Sequence, residues 1–140
     1  MGLNNFFGAK KIINAKSAKV QIEILIKDAK LKLKEDYIQE ALKIYSSAKQ
    51  LANEWELNED IAELDNLIRL TQIGGLKTLK NIYENNAKKA EKDYFPSEAL
   101  KCYDMAYKAA TEIFKLGLTK IEKDIKRIKK KIEELKNALE

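Results

Sequence analysis

Asp36-Tyr37-Ile38-Gln39-Glu40-Ala41-Leu42-Lys43-Ile44-Tyr45-Ser46-Ser47-Ala48 and Asp93-Tyr94-Phe95-Pro96-Ser97-Glu98-Ala99-Leu100-Lys101-Cys102-Tyr103-Asp104-Met105-Ala106 are two versions of one pattern. In each, Asp-Tyr leads into Glu-Ala-Leu-Lys, then a tyrosine, then an alanine. The offset is 57 residues at Tyr37 and Tyr94 and 58 from Glu40 onward, which predicts one extra residue in the second turn. Alanine, tyrosine and alanine at spacings of four and three lie on one face of a helix. Small residues there let a neighbouring helix approach, and the aromatic ring fills the space between.

Working outward, the apolar residues keep a three-to-four spacing, Pro96 is the one proline and glycines are few. The fold class expected is all-α throughout. A first helix is predicted from about Asn14 to Glu35 and a second from about Ile38 to Leu57. Asn58 suits the N-cap of a third, with Glu59 and Asp60 favourable in its first turn. Gly74-Gly75 reads as the clearest break in the chain. A fourth helix follows from Leu76 to Lys92, and a fifth opens at Pro96 and closes near Gly117. Thr119-Lys120-Ile121-Glu122 has the form of a capping box before a sixth. The expected architecture is one domain, 1–140, of six helices in two related three-helix units. The first covers about 9–73 and the second 76–140, with Gly74-Gly75 as the junction.

Ala41-x3-Tyr45-x2-Ala48, repeated as Ala99-x3-Tyr103-x2-Ala106, resembles the second helix of a tetratricopeptide repeat. Three helices per unit, and the Tyr37-x2-Glu40-Ala41-x3-Tyr45 stretch, are similar to the microtubule-interacting and trafficking domain. Both resemblances imply a protein that binds peptides or helices of other proteins.

Composition narrows the chemistry. There is no histidine and one cysteine, so transition-metal sites and His-based general acid–base or nucleophilic catalysis have no residues to draw on. Cys102 aligns with Ile44 and reads as a small core residue. No cofactor and no enzymatic activity are expected. Gly74-Gly75 lacks the frame of a phosphate loop. A lone thiol, no long apolar run and no secretory leader point to a cytoplasmic protein.

The net charge is +5, but it is concentrated at the ends. Residues 1–20 hold four lysines and no acid, and 119–140 hold eight bases against five acids. The densest cluster, Lys126-Arg127 with Lys129-Lys130-Lys131, wraps around its helix without interleaved aromatics. It reads as solvated exterior more than as a nucleic-acid stripe.

Three surfaces stand out. The first helix has two opposed apolar stripes, one of Ala15, Ala18, Ile22, Leu25, Ala29 and Leu33, the other of Ile13, Val20, Ile24 and Leu31. The second stripe either packs within the chain or receives a partner protein. Ile121, Ile125, Ile128, Ile132, Leu135 and Leu139 run in 4-3-4-3-4 spacing, either as an edge-helix face or as a self-association seam. At the N-terminus, Leu3, Phe6, Phe7, Lys10 and Lys11 either staple the chain end to the bundle or touch anionic lipid. A protein-interaction module is the leading expectation, and a binder of membrane or nucleic acid through the basic ends is the alternative.

Overall fold

The structure, a computed structural model, describes residues 2–140, with side chains from residue 15 onward. It is all-α. Among the described residues five α-helices follow one another: α1 (Gly2–Lys34), α2 (Ile38–Glu54), α3 (Asn58–Lys92), α4 (Pro96–Lys115) and α5 (Glu122–Leu139), with a 3-10 turn at Thr119–Ile121. The chain forms two compact units, residues 1–71 and 72–140.

Unit 1 is closed by Ile22 and Ala29 of α1, Ala41, Tyr45, Ala48 and Ala52 of α2, and Leu64 of α3, all buried. Unit 2 is closed by Ile73 and Ala87 of α3, Tyr103, Ala106, Ala110 and Ile113 of α4, and Ile121, Ile128 and Ile132 beyond it. Tyr45 and Tyr103 are the two largest fully buried side chains. Each sits among alanines, which bring neighbouring helices close enough for the ring to be enclosed. Cys102 is half-buried against the unit 2 core.

Four helices end in the same way. At the end of α1 the Tyr37 N–H donates to the Lys32 carbonyl (2.9 Å) and the Asp36 N–H to the Leu33 carbonyl (3.1 Å). The pair 6→1 and 5→2 defines a Schellman motif, whose C′ residue must be left-handed. Asp36 has φ 64°. The same two bonds recur around Glu56 (φ 52°), Tyr94 (φ 62°) and Gly117 (φ 104°). Three of the four positions are filled by residues with a Cβ, which adopt this region at a cost of about 1 kcal/mol. Tyr37, the residue after Asp36, lies over Lys32, whose Nζ is 5.9 Å from the ring centroid.

The turns correct the expected alignment. Asp36 corresponds to Tyr94 and Tyr37 to Phe95, an offset of 58, and neither turn carries an extra residue. The repeated Asp-Tyr pair is therefore out of step with the repeated backbone.

Three further expectations are overturned. Gly74-Gly75 does not break the chain: α3 runs through it as one helix, so the described residues form five helices and not six. Thr71 and Ile73 before the pair and Lys80 after it are all buried, so helical periodicity with packed residues continues across it. Two interior glycines cost only about 1 kcal/mol each against alanine, less than the packing that holds the helix on either side. Thr119 to Glu122 forms no side-chain cap; the segment is a 3-10 turn and α5 starts at Glu122. α1 starts at Gly2, ahead of the expected Asn14, in a stretch without proline.

An added Cβ at Gly74 would meet nothing within 4 Å. Gly74→Ala should therefore stabilise the protein by about 0.5–1 kcal/mol, read as a higher urea midpoint. A fall in that midpoint would show that the position needs a conformation alanine resists.

Candidate functional site

Two features of the described residues carry chemistry. One is a solvent-facing apolar stripe on α1, the other a set of charges inside unit 2.

On α1, Ala18, Ile22 and Ala29 are buried while Val20, Ile24 and Leu31 are 56%, 60% and 57% exposed. At about 100° of rotation per residue these are opposite faces of one helix. Val20, Ile24 and Leu31 of the second stripe thus face solvent, and Ile13 lies outside the described side chains. A groove of 430 Å³ lies beside the stripe, lined by Lys16, Ser17, Val20, Gln21 and Ile24. A second, of 220 Å³, is lined by Ser17, Ala18, Gln21, Leu51 and Trp55, and so extends from the same edge of α1 to the end of α2. Trp55 is half-buried there, and it is the chain's one tryptophan.

The residues offered as a self-association seam are used within the chain. Ile121, Ile128 and Ile132 are buried in unit 2, Ile125 and Leu135 are partly buried against the same core, and Leu139 is exposed. Their spacing places them on the face of the 3-10 turn and α5 that meets α4. Leu3, Phe6, Phe7, Lys10 and Lys11, the lipid-contact candidates, lie outside the described side chains.

The sequence reading missed the buried charges. Lys80 and Glu84 are 5% exposed, one helical turn apart on α3. Lys80 Nζ lies 2.9 Å from Glu84 Oε2 and 3.2 Å from Asp124 Oδ2. Arg127 donates to Glu84 and, at 3.1 Å, to Asp124 Oδ1. Each cation thus touches both anions, a closed ring of four alternating charges between α3 and α5. Burial pushes the Glu84 and Asp124 carboxyls up, but hydrogen bonds from Arg127 and Lys80 outweigh it and hold both below their ordinary values.

A second link lies beside the ring. Tyr103 Oη donates to Glu91 Oε1 (2.5 Å), and Glu91 also meets Lys131 Nζ at 3.5 Å. Burial and the Glu91 carboxylate together push the Tyr103 phenol far above its ordinary value, so it stays protonated. Arg127 and Lys131, read from sequence as solvated exterior, remain nearly half exposed but are tied to Glu84, Asp124 and Glu91. The signal was present but faint: Lys80 and Glu84 stand 58 residues after Ile22 and Ile26, so an i,i+4 ion pair occupies positions that are isoleucine in the other unit.

All four of the ring's carboxylate oxygens are taken by Lys80 or Arg127, and those bonds tie α3 to α5. In unit 1 the Asp60 Oδ2 atom is buried without a hydrogen-bond partner among the described residues. It belongs to the first turn of α3, where the helix dipole favours a carboxylate. Among the described residues no three acidic or thiol side chains gather as a metal site, and no helix is long and apolar enough to cross a membrane.

Removing one partner strands the rest. Glu84→Ala should destabilise the protein by about 3 kcal/mol, because Lys80 keeps only one partner in a buried position. Lys80→Ile with Glu84→Ile, the residues of unit 1, should recover most of that loss, since Arg127 and Asp124 keep each other near the surface. Chemical denaturation of the single and double variants checks both.

The ring also sets an acid limit. Its two carboxyls titrate below their ordinary values of 4.5 and 3.8, so their stabilising contribution is complete above those values. It is lost as pH falls through the lowered native values. Melting temperature should fall more steeply below about pH 4.5 in the native protein than in the Lys80→Ile/Glu84→Ile variant. Parallel curves would show that the ring does not contribute.

Compared with protein-family models, with curated proteins and with solved structures, the chain matches none.

Proposed function

We propose that this chain is a non-enzymatic protein-interaction module, built from two related three-helix units, that binds a helix or extended peptide of another protein on the outer face of α1. The observation that carries this reading is the exposure of Val20, Ile24 and Leu31 on the face of α1 turned away from its own core. Three large apolar side chains aligned on one face, beside grooves that reach Trp55, have the composition of a docking surface. The relation between the units is supported by the matched alanine–tyrosine cores and by left-handed turns at Asp36 and Tyr94, 58 residues apart. The likeness of Ala41-x3-Tyr45-x2-Ala48 to a tetratricopeptide or trafficking-domain helix points the same way. The lone thiol Cys102 suits a cytoplasmic setting. The absence of histidine from the sequence supports a role without catalysis.

Ile24→Asp separates binding from folding. The side chain is mostly in water, so stability should change by less than about 0.5 kcal/mol. Protein retained from the source organism's lysate by the native chain should be lost by the variant, with circular dichroism unchanged. Retention of nucleic acid instead of protein, or equal retention by both chains, would overturn the proposal.

A further inference from the structure

The charges on either side of the α1 stripe are not alike. Lys16, Lys19, Lys27, Lys30 and Lys34 all fall on one flank of Val20, Ile24 and Leu31, with Glu23 the one acid among them. Among the described residues the other flank carries Ser17, Gln21 and Asp28, and its one base, Lys32, is paired with Glu40 at 3.8 Å and lies by the Tyr37 ring. The five lysines are exposed, and among the described residues none of them is held in an ion pair. A stripe with unpaired lysines on one side only is a chemical instruction about what covers it.

From this asymmetry, and resting on the reading of α1 as a docking face, we infer that the partner is an amphipathic helix of another protein with acidic residues along one flank. Its apolar face would cover Val20, Ile24 and Leu31, its acids would lie over the lysines, and its other flank would be neutral. The stripe extends for roughly 16 Å at 1.5 Å per residue, so about three turns of partner helix suffice. The groove at Trp55 lies on the neutral side and offers room for one large apolar side chain.

The alternatives fit less well. A second copy pairing antiparallel would set lysine flank against lysine flank, and a parallel copy would offer the five lysines one acid, Asp28, with Ser17, Gln21 and the paired Lys32. A flat anionic membrane would meet both flanks at equal depth, one of them bringing Asp28 and no lysine outside an ion pair.

Three synthetic helices test the inference, identical on their apolar face and on one flank, with the other flank all Glu, all Gln or all Lys, and lacking tryptophan. Trp55 emission of the full chain reports binding, with peptide anisotropy as a second readout. The Glu peptide should bind about tenfold more tightly than the Gln peptide at low salt, from several exposed pairs of modest strength, and the margin should shrink as salt is raised. Lys19→Gln, Lys27→Gln and Lys30→Gln together should abolish the margin and leave binding of the Gln peptide intact. Equal binding of all three peptides, each lost in Ile24→Asp, would overturn the acidic partner while leaving the docking face in place. Failure of every peptide to bind would overturn both readings. So would binding of phosphatidylserine vesicles that is lost in Ile24→Asp, or a dimer in ultracentrifugation that Ile24→Asp dissolves.

Discussion

Everything in this protein depends on how closely its helices can approach. Ala41, Ala48 and Ala52 on α2, and Ala99, Ala106 and Ala110 on α4, are buried to the last atom. An alanine face brings a neighbouring helix in by about 2 Å relative to larger side chains, and a single large ring then fills the remaining volume. Tyr45 and Tyr103 are those rings. The rest of each unit, the isoleucines and leucines of the flanking helices, packs around this alanine–tyrosine contact. The arrangement explains why small chains with few aromatic residues still enclose a core.

Much of this was legible in the sequence, because spacing and side-chain size are written there directly. The all-α class, the two tyrosines and the apolar faces of α2, α4 and α5 follow from periodicity alone. The turns were misread for a physical reason. Asp36-Tyr37 and Asp93-Tyr94 look equivalent as letters, yet the left-handed residue is Asp36 in one turn and Tyr94 in the other. Positive φ at a residue with a Cβ has no strong compositional mark; only Gly117 announces its own. Gly74-Gly75 failed in the opposite direction. Glycine lowers helix propensity, but propensity is a weak prior once neighbouring residues on both sides are packed.

The functional surfaces were less legible. Two opposed stripes on α1 could be seen in the sequence, but not which one faced the core. That choice depended on Ala18, Ile22 and Ala29 fitting against α2, a contact between residues far apart in the chain. The one-sided run of lysines is readable in retrospect, once the outward stripe fixes a reference direction for the helix. The charge ring of Lys80, Glu84, Asp124 and Arg127 was hidden for a different reason: Lys and Glu four residues apart read as surface decoration by default.

That ring bears on how α5 finds its place. Ile121, Ile125, Ile128 and Ile132 form a ladder of identical rungs, and such a ladder is degenerate: shifted by a turn or a heptad, isoleucine still meets an apolar neighbour. Hydrophobic packing alone would leave several alignments close in energy. A shift of one turn, about 5.4 Å, would part Arg127 from Glu84 and Asp124 from Lys80, leaving two dehydrated charges with a partner missing. The ionic ring therefore acts as an index mark on an otherwise repetitive scale, selecting one alignment by penalising all others. Unit 1, with Ile22 and Ile26 in the corresponding places, has no buried ring there; its inter-helix ion pairs, Lys32–Glu40 and Lys49–Asp65, lie in solvent, where a broken pair costs little.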